Sequence, residues 1–201
     1  MREKMVMAAA EEMLTRGLKF TMGELAAKLH VSKTSLYEQF SSKEELINGV
    51  LEMALEDMRR QDEAIYNDAS LSLTEKLLAL FKVTPTLFGP INNRRIYDDL
   101  LLHHPGGEQM LDAFREEQFR RQSALIAEGV ATQSVRCVNM RVLQQLLLGA
   151  TSELFTYRFL TENNMTIADA MAALADIVVF GLLPQAAATA TTQTEEDERS
   201  C

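Results

Sequence analysis

The sequence has no tryptophan, two cysteines, four prolines and nine glycines in 201 residues. Each scarcity removes a class of answers. Cys137 and Cys201 are too few for a disulfide framework or a thiolate metal site. Sparse proline and glycine leave few turn signals, which disfavours a sandwich or barrel and favours long helices. No stretch reaches the ~18 consecutive apolar residues of a membrane span. The first residues, MREKMVMAAAEEML, place Glu11 and Glu12 where a signal peptide would be apolar. Both observations point to a cytoplasmic protein with no membrane partner. Positive charge is also scarce: 20 Lys and Arg face 29 Asp and Glu, a formal net charge of −9. On that sum alone a nucleic-acid partner is disfavoured, because a footprint on phosphates is basic. No Gly-rich phosphate loop, zinc spacing or Ser/His/Asp arrangement is present. Neither an enzyme nor a cofactor is expected.

What the sequence does carry is helical periodicity along most of its length, with 47% apolar residues to build a core. Met5, Ala9 and Met13 recur every fourth residue in a first helix over 4–16, and Gly17 reads as its C-terminal stop. Thr21 with Glu24 forms a capping box for a short helix over 22–29. Ser32 caps the next, over 33–40, and Ser41 and Ser42 compete to cap a fourth that runs past Arg60. Further on, Ser72 caps a helix to about Phe88, bent or broken near Pro85. Another spans 94–103 and stops at Pro105-Gly106-Gly107; a third spans 108–128. Two long apolar helices close the fold, one capped by Ser134 and running to about 162, one capped by Thr166 and running to about 183. The expected fold class is all-α, with about nine helices. From Gln185 the composition turns to Ala/Thr and then to Glu195-Glu196-Asp197-Glu198, which predicts a disordered tail over 185–201.

The informative stretch is TMGELAAKLHVSKTSLYEQFSSK, Thr21 to Lys43. Two short helices separated by His30-Val31-Ser32 match a helix-turn-helix, with Leu25, Ala26, Leu29, Val31, Leu36 and Phe40 as its small core. The second helix then exposes Lys33, Thr34, Ser35, Tyr37, Glu38 and Gln39, hydrogen-bonding side chains suited to a major groove. A solvated helix face is the bland alternative for these residues, and the surrounding motif outweighs it. His103 and His104 are adjacent, so they diverge on a helix and make a poor metal site.

At this point the sequence resembles the tetracycline-repressor (TetR) family of bacterial transcription regulators. The resemblance rests on RGLKFTMGELAAKLHVSKTSLYEQF followed by SSKEELINGVL; beyond about Leu55 it is architectural only. It implies an N-terminal helix-turn-helix domain over 1–55, a helical ligand-binding and dimerisation domain over 56–184, and a double-stranded DNA operator as partner. It implies phosphate contacts from Thr21, Tyr37 and Lys43, and base or phosphate contacts from Ser32, Lys33, Thr34 and Ser35. The family's turn usually has glycine where this chain has His30, which tolerates a left-handed backbone better than most residues. Glu38 stands where many members carry a neutral or basic residue, so it weakens phosphate attraction or reads a cytosine amino group.

The resemblance further implies a homodimer through the two closing helices, about 134–162 and 166–183. It also implies a small, largely apolar effector held among the middle helices, whose binding releases a repressor from a palindromic site. Candidate lining residues are Phe81, Phe88, Tyr97, Leu101, Met110, Phe114, Phe119 and Met140, with Arg94 and Arg95 available to an anion. Aromatic and Met stripes at helical spacing are more often core than ligand contacts. The alternative reading is a DNA-anchored regulator whose helical core docks a protein and takes no small molecule. Residues 1–48 hold seven basic and seven acidic residues, so the whole excess of acid lies outside the helix-turn-helix block.

Overall fold

The computed structural model describes residues 1–86, 104–154 and 156–184. Among the described residues the chain forms nine α-helices and one 3-10 turn, with no strand. The helix expected over 94–103, Phe155 and the tail from Gln185 lie outside them.

α1 (Arg2–Arg16) buries Met5, Val6, Ala8, Ala9, Ala10 and Met13. Three of these are alanines, small enough to let another helix approach closely. The helix stops at Gly17, whose φ of 63° and ψ of −149° belong to a region that glycine alone enters without strain. The 3-10 turn Gly17–Lys19 then delivers Phe20, fully buried, into the core. α2 (Met22–Lys28) starts on the expected capping box: the Thr21 hydroxyl accepts from the Glu24 N–H at 3.2 Å, and the Thr21 N–H donates to the Glu24 carboxylate at 2.7 Å. α3 (Lys33–Gln39) is capped by Ser32, and α4 (Lys43–Asn67) by Ser42, whose hydroxyl accepts from the Glu45 N–H at 3.0 Å. Ser41 instead donates its N–H and hydroxyl to the Glu45 carboxylate. Met5, Met13, Phe20, Leu25, Leu36, Phe40, Leu46 and Val50 form one closed core. Burying side chains of this kind stabilises by about 1.5–3 kcal/mol each before entropy is counted.

The remaining helices are α5 (Leu73–Phe81), α6 (Pro105–Ala131), α7 (Met140–Leu154), α8 (Tyr157–Glu162) and α9 (Ile167–Leu182). Ser72 with Glu75 and Thr166 with Asp169 complete capping boxes on α5 and α9. A second core joins Leu77, Leu80 and Phe81 of α5, Leu125 and Ile126 of α6, Leu143 and Leu147 of α7, and Leu174, Val178 and Val179 of α9. α4 belongs to both halves. Leu46 to Leu51 close the first core, and Ile65 packs against the second. Three polar contacts tie α4 to α6: Asn48 Oδ1 to His104 Nε2 at 2.7 Å, Arg59 to Glu117 at 2.9 Å, and Asp62 to Gln118 at 3.2 Å.

Several expectations need correction. α5 ends at Phe81, earlier than the break expected near Pro85; Thr84, held out of helical geometry by Pro85, keeps the helix from resuming there, and Phe88 lies outside the described residues. α6 starts at Pro105, not Glu108: proline at a helix's first position needs no N–H partner and has φ preset. The same helix runs past Gly129 to Ala131. Gly129 is needed there for close approach, since a Cβ would stand 2.5 Å from Val135 Cγ2. Ser134 does not cap α7. Its N–H and hydroxyl both donate to the Gly129 carbonyl in the turn that ends α6, while Asn139 Oδ1 accepts from the Arg141 and Val142 N–H groups. The helix expected to about 162 is two helices, because the Thr156 hydroxyl accepts from the Phe159 N–H and starts α8 afresh. His104 is at a helix end as expected, yet buried.

Candidate functional site

The helix-turn-helix is built by local rules. After α2 the Val31 N–H donates to the Ala26 carbonyl at 3.0 Å and the His30 N–H to the Ala27 carbonyl at 3.1 Å. This paired pattern requires a left-handed residue between, and His30 supplies it with φ 54°. The turn sets α3 across α2 with Leu36 and Phe40 fully buried beneath it. Its outer face carries Lys33, Thr34, Tyr37, Glu38 and Gln39, all exposed, with Tyr37 at 49%.

The candidate residues are not equally available. The Ser32 hydroxyl accepts from the Ser35 N–H and lies 2.9 Å from the Ser35 hydroxyl, so these two serines are partly engaged with each other. Lys33 makes no ion pair with a described residue, and its chain lies over Gly23. The Thr21 hydroxyl already donates to the Glu24 carboxylate at 2.9 Å. Lys43 is half-buried: its ammonium donates to the Leu18 carbonyl and stands 4.6 Å from the Phe20 ring centre. Burial pulls its pKa below the ordinary lysine value. Among the other basic residues of this region, Arg16 pairs with Glu12 and Glu24, Lys28 with Glu11 and Glu12, and Arg2 with Glu45. Arg2, Arg16 and Lys28 are thus neutralised, while Lys4, Lys19 and Lys33, exposed and in no ion pair with a described residue, carry the outward positive charge of residues 1–48 beside the exposed hydroxyls.

Of the candidate lining residues, Phe88, Tyr97 and Leu101 lie outside the described residues, as do Arg94 and Arg95. The rest do not converge. Met110 packs on the first core, Met140 on the second, and Phe114 is buried with Arg59 over its ring at 5.7 Å. Only Phe81 and Phe119 border the cleft that opens between α5, α6, α7 and α9. Its free space is about 80 Å³, and Leu147, Leu148, Met171 and Leu174 continue the apolar wall. The other wall is polar: Arg115, Glu116, Gln118, Gln122, Gln144 and Thr151. Arg115 holds Asp112 at 2.7 Å, and burial lowers its pKa from the arginine reference. These glutamines belong to no apolar stripe of the sequence. Their signal was the spacing of Arg115, Gln118, Phe119 and Gln122, which places all four on one face of α6.

Among the described residues no group of His, Cys, Asp and Glu is arranged to hold a metal ion, and no helix is long and apolar enough to cross a membrane. Residues 6–50 match the family model for bacterial regulatory proteins of the tetR family. The chain is 26% identical over 176 residues to the HTH-type transcriptional regulator YvaF of Bacillus subtilis (strain 168), covering 88% of this chain and 92% of that one. Its fold is similar to that of the TetR family regulator PfmR from Thermus thermophilus, with a TM-score of 0.65, 20% identity, and coverage of 90% and 100% of the two chains. A TetR/AcrR family regulator from Thermobifida fusca superposes with a TM-score of 0.66 at 20% identity, over 89% of this chain and 95% of that one. Residues 6–50 thus carry a helix-turn-helix similar to that of the tetR family of bacterial regulatory proteins, and over most of its length the chain is similar to a helix-turn-helix transcriptional regulator and shares the fold of solved TetR-family regulators.

Proposed function

We propose that this protein is a DNA-binding transcriptional regulator of the tetR type, a repressor that binds a palindromic operator as a homodimer and is released by a small effector taken up between its rear helices. One observation carries the dimer. Val142 and Leu146 on α7 are 64% and 58% exposed, and Ile177 and Phe180 on α9 are 74% and 62% exposed, at helical spacing. Two stripes of large apolar side chains facing water suit a self-complementary interface, which a twofold dimer uses on both subunits. The proposed division is a DNA-reading domain over 1–55 and a ligand-binding and dimerisation domain over 56–184, in keeping with the two hydrophobic cores. Dimerisation is assigned to α7 and α9.

On DNA, Lys33, Thr34 and Tyr37 make the outward contacts, with Ser32 and Ser35 at the helix start. Thr21 contributes chiefly by fixing α2, because its hydroxyl proton is engaged by Glu24. Lys43 reaches a phosphate only by giving up the Leu18 carbonyl. A short recognition helix inserts few side chains, so specificity needs two half-sites about 34–36 Å apart, or a related spacing. The effector reading draws on the cleft rimmed by Phe81 and Phe119. Operator binding, and with it this function, is placed in the cytoplasm.

The test is electrophoretic mobility shift with the protein's own upstream DNA. Tight binding to one inverted repeat, lost when either half is scrambled, is the expected result. Equal affinity for random duplex of the same length would overturn the proposal.

A further inference from the structure

The polar wall of the cleft says what kind of molecule belongs there. Gln122 on α6 is 7% exposed, and its side chain has no hydrogen bond to any described residue. No side-chain nitrogen or oxygen is sealed from solvent without a partner among the described residues. The Gln122 amide therefore keeps access to solvent, and Gln122 lines the cleft. A carboxamide offers two donors and an acceptor, and a buried one left unmet is costly. Gln144, half-buried on α7, is likewise without a hydrogen bond and borders the same space. Gln118, one turn before Gln122, donates its amide nitrogen to Asp62, leaving its oxygen as an acceptor. The Thr151 hydroxyl has given its proton to the Leu147 carbonyl and can only accept.

These groups require a partner that both donates and accepts. A carboxylate or ketone has no donor for Gln118 or Thr151. An anion would also meet Glu116 at the rim and the Asp62 carboxylate behind Gln118, while Arg115 is already held by Asp112. A cation would have to give up its hydration beside a side chain that is almost wholly buried. The opposite wall, Phe81, Phe119, Leu147 and Leu174, suits an apolar body.

We infer that the cleft takes a neutral amphipathic molecule, an apolar body bearing a primary amide or hydroxyl that docks on Gln122. This rests on the cleft being the effector site. The test uses the full-length ¹⁵N-labelled protein and five probes sharing one ring: benzamide, benzyl alcohol, toluene, benzoate and benzylammonium. The Gln122 side-chain NH2 resonance is expected to move with benzamide and benzyl alcohol. Their binding is expected to be about threefold to tenfold tighter than that of the other three, as one or two net hydrogen bonds allow. Gln122→Met, of similar volume, is expected to bring benzamide down to the level of toluene while toluene still binds. Benzoate, benzylammonium or toluene binding as tightly as benzamide would sink the inference, as would a Gln122→Met protein that keeps the preference. Toluene binding without any preference leaves the cleft standing as the site and removes only the ligand class. If no probe perturbs cleft resonances, the effector-site reading itself fails and takes the inference with it.

Discussion

His30 occupies a left-handed position that glycine fills at no steric cost. A side chain there costs about 1–2 kcal/mol, part of which glycine would return as extra freedom in the unfolded chain. His30→Gly is therefore expected to stabilise the protein by up to about 1 kcal/mol, seen as a higher urea midpoint with an unchanged slope; a lower midpoint would show that the histidine makes compensating contacts. Asp62 presents the opposite case. It is 2% exposed, and burial raises its pKa above the carboxylate reference, against the pull of Gln118 and Arg121. A raised folded-state value means the native protein holds the proton more tightly than the unfolded chain. The associated cost is absent in acid and appears as pH rises through the folded-state value. Asp62→Asn, which keeps a partner for Gln118, is expected to raise Tm at pH 7 by an amount worth about 1 kcal/mol. The gain should shrink toward pH 4, and a gain independent of pH would refute the assignment.

At the scale of elements, the caps explain what could be read in advance and what could not. Thr21–Glu24, Ser72–Glu75 and Thr166–Asp169 are signals spanning four residues, so the sequence alone locates those helix starts. Pro105-Gly106-Gly107 is ambiguous by chemistry: the same residues can end a helix or begin one, and here they begin α6. Thr156 reads as an interior residue in the sequence, and only its hydroxyl taking the Phe159 N–H marks it as a helix start. The glutamines of the cleft were hidden for a different reason, since a polar side chain on an inward face counts against burial unless its partner is known. The carboxylates in these caps also set acid sensitivity. Glu24 is held below its ordinary pKa first by the Thr21 N–H and Glu75 first by the Ser72 hydroxyl. A depressed folded value gives stability that is present above the unfolded pKa and lost as pH falls through the folded one. The Glu24→Gln/Glu75→Gln double variant is thus expected to show a flatter fall in helicity between about pH 5 and 2 than the parent, followed by circular dichroism. An unchanged acid limb would put the titration elsewhere.

For the whole molecule, the exposed stripe on α7 and α9 gives the clearest test of assembly. Leu146→Glu with Phe180→Glu alters side chains that are 58% and 62% exposed, so each chain should fold as before. Sedimentation is expected to show monomers, and operator affinity should fall by a factor of at least about 100, because one half-site must then hold the protein alone. A double variant that still sediments as a dimer would place the interface elsewhere. The net charge of −9 sharpens the same point: with residues 1–48 neutral and the rest acidic, the proposed operator binding draws little affinity from phosphates at large and relies on the pairing of two reading heads.

α4 closes one core with Leu46 to Leu51 and reaches the other with Ile65. Its 25 residues span about 37 Å without a break. A rod built into both walls makes the two halves melt together: heat or urea that loosens the rear core also withdraws support from beneath the recognition helix. Operator affinity near the melting temperature is consequently a gauge of packing far from DNA. A damaging substitution among Leu77, Leu125 or Leu174 is therefore expected to weaken DNA binding with no molecule bound.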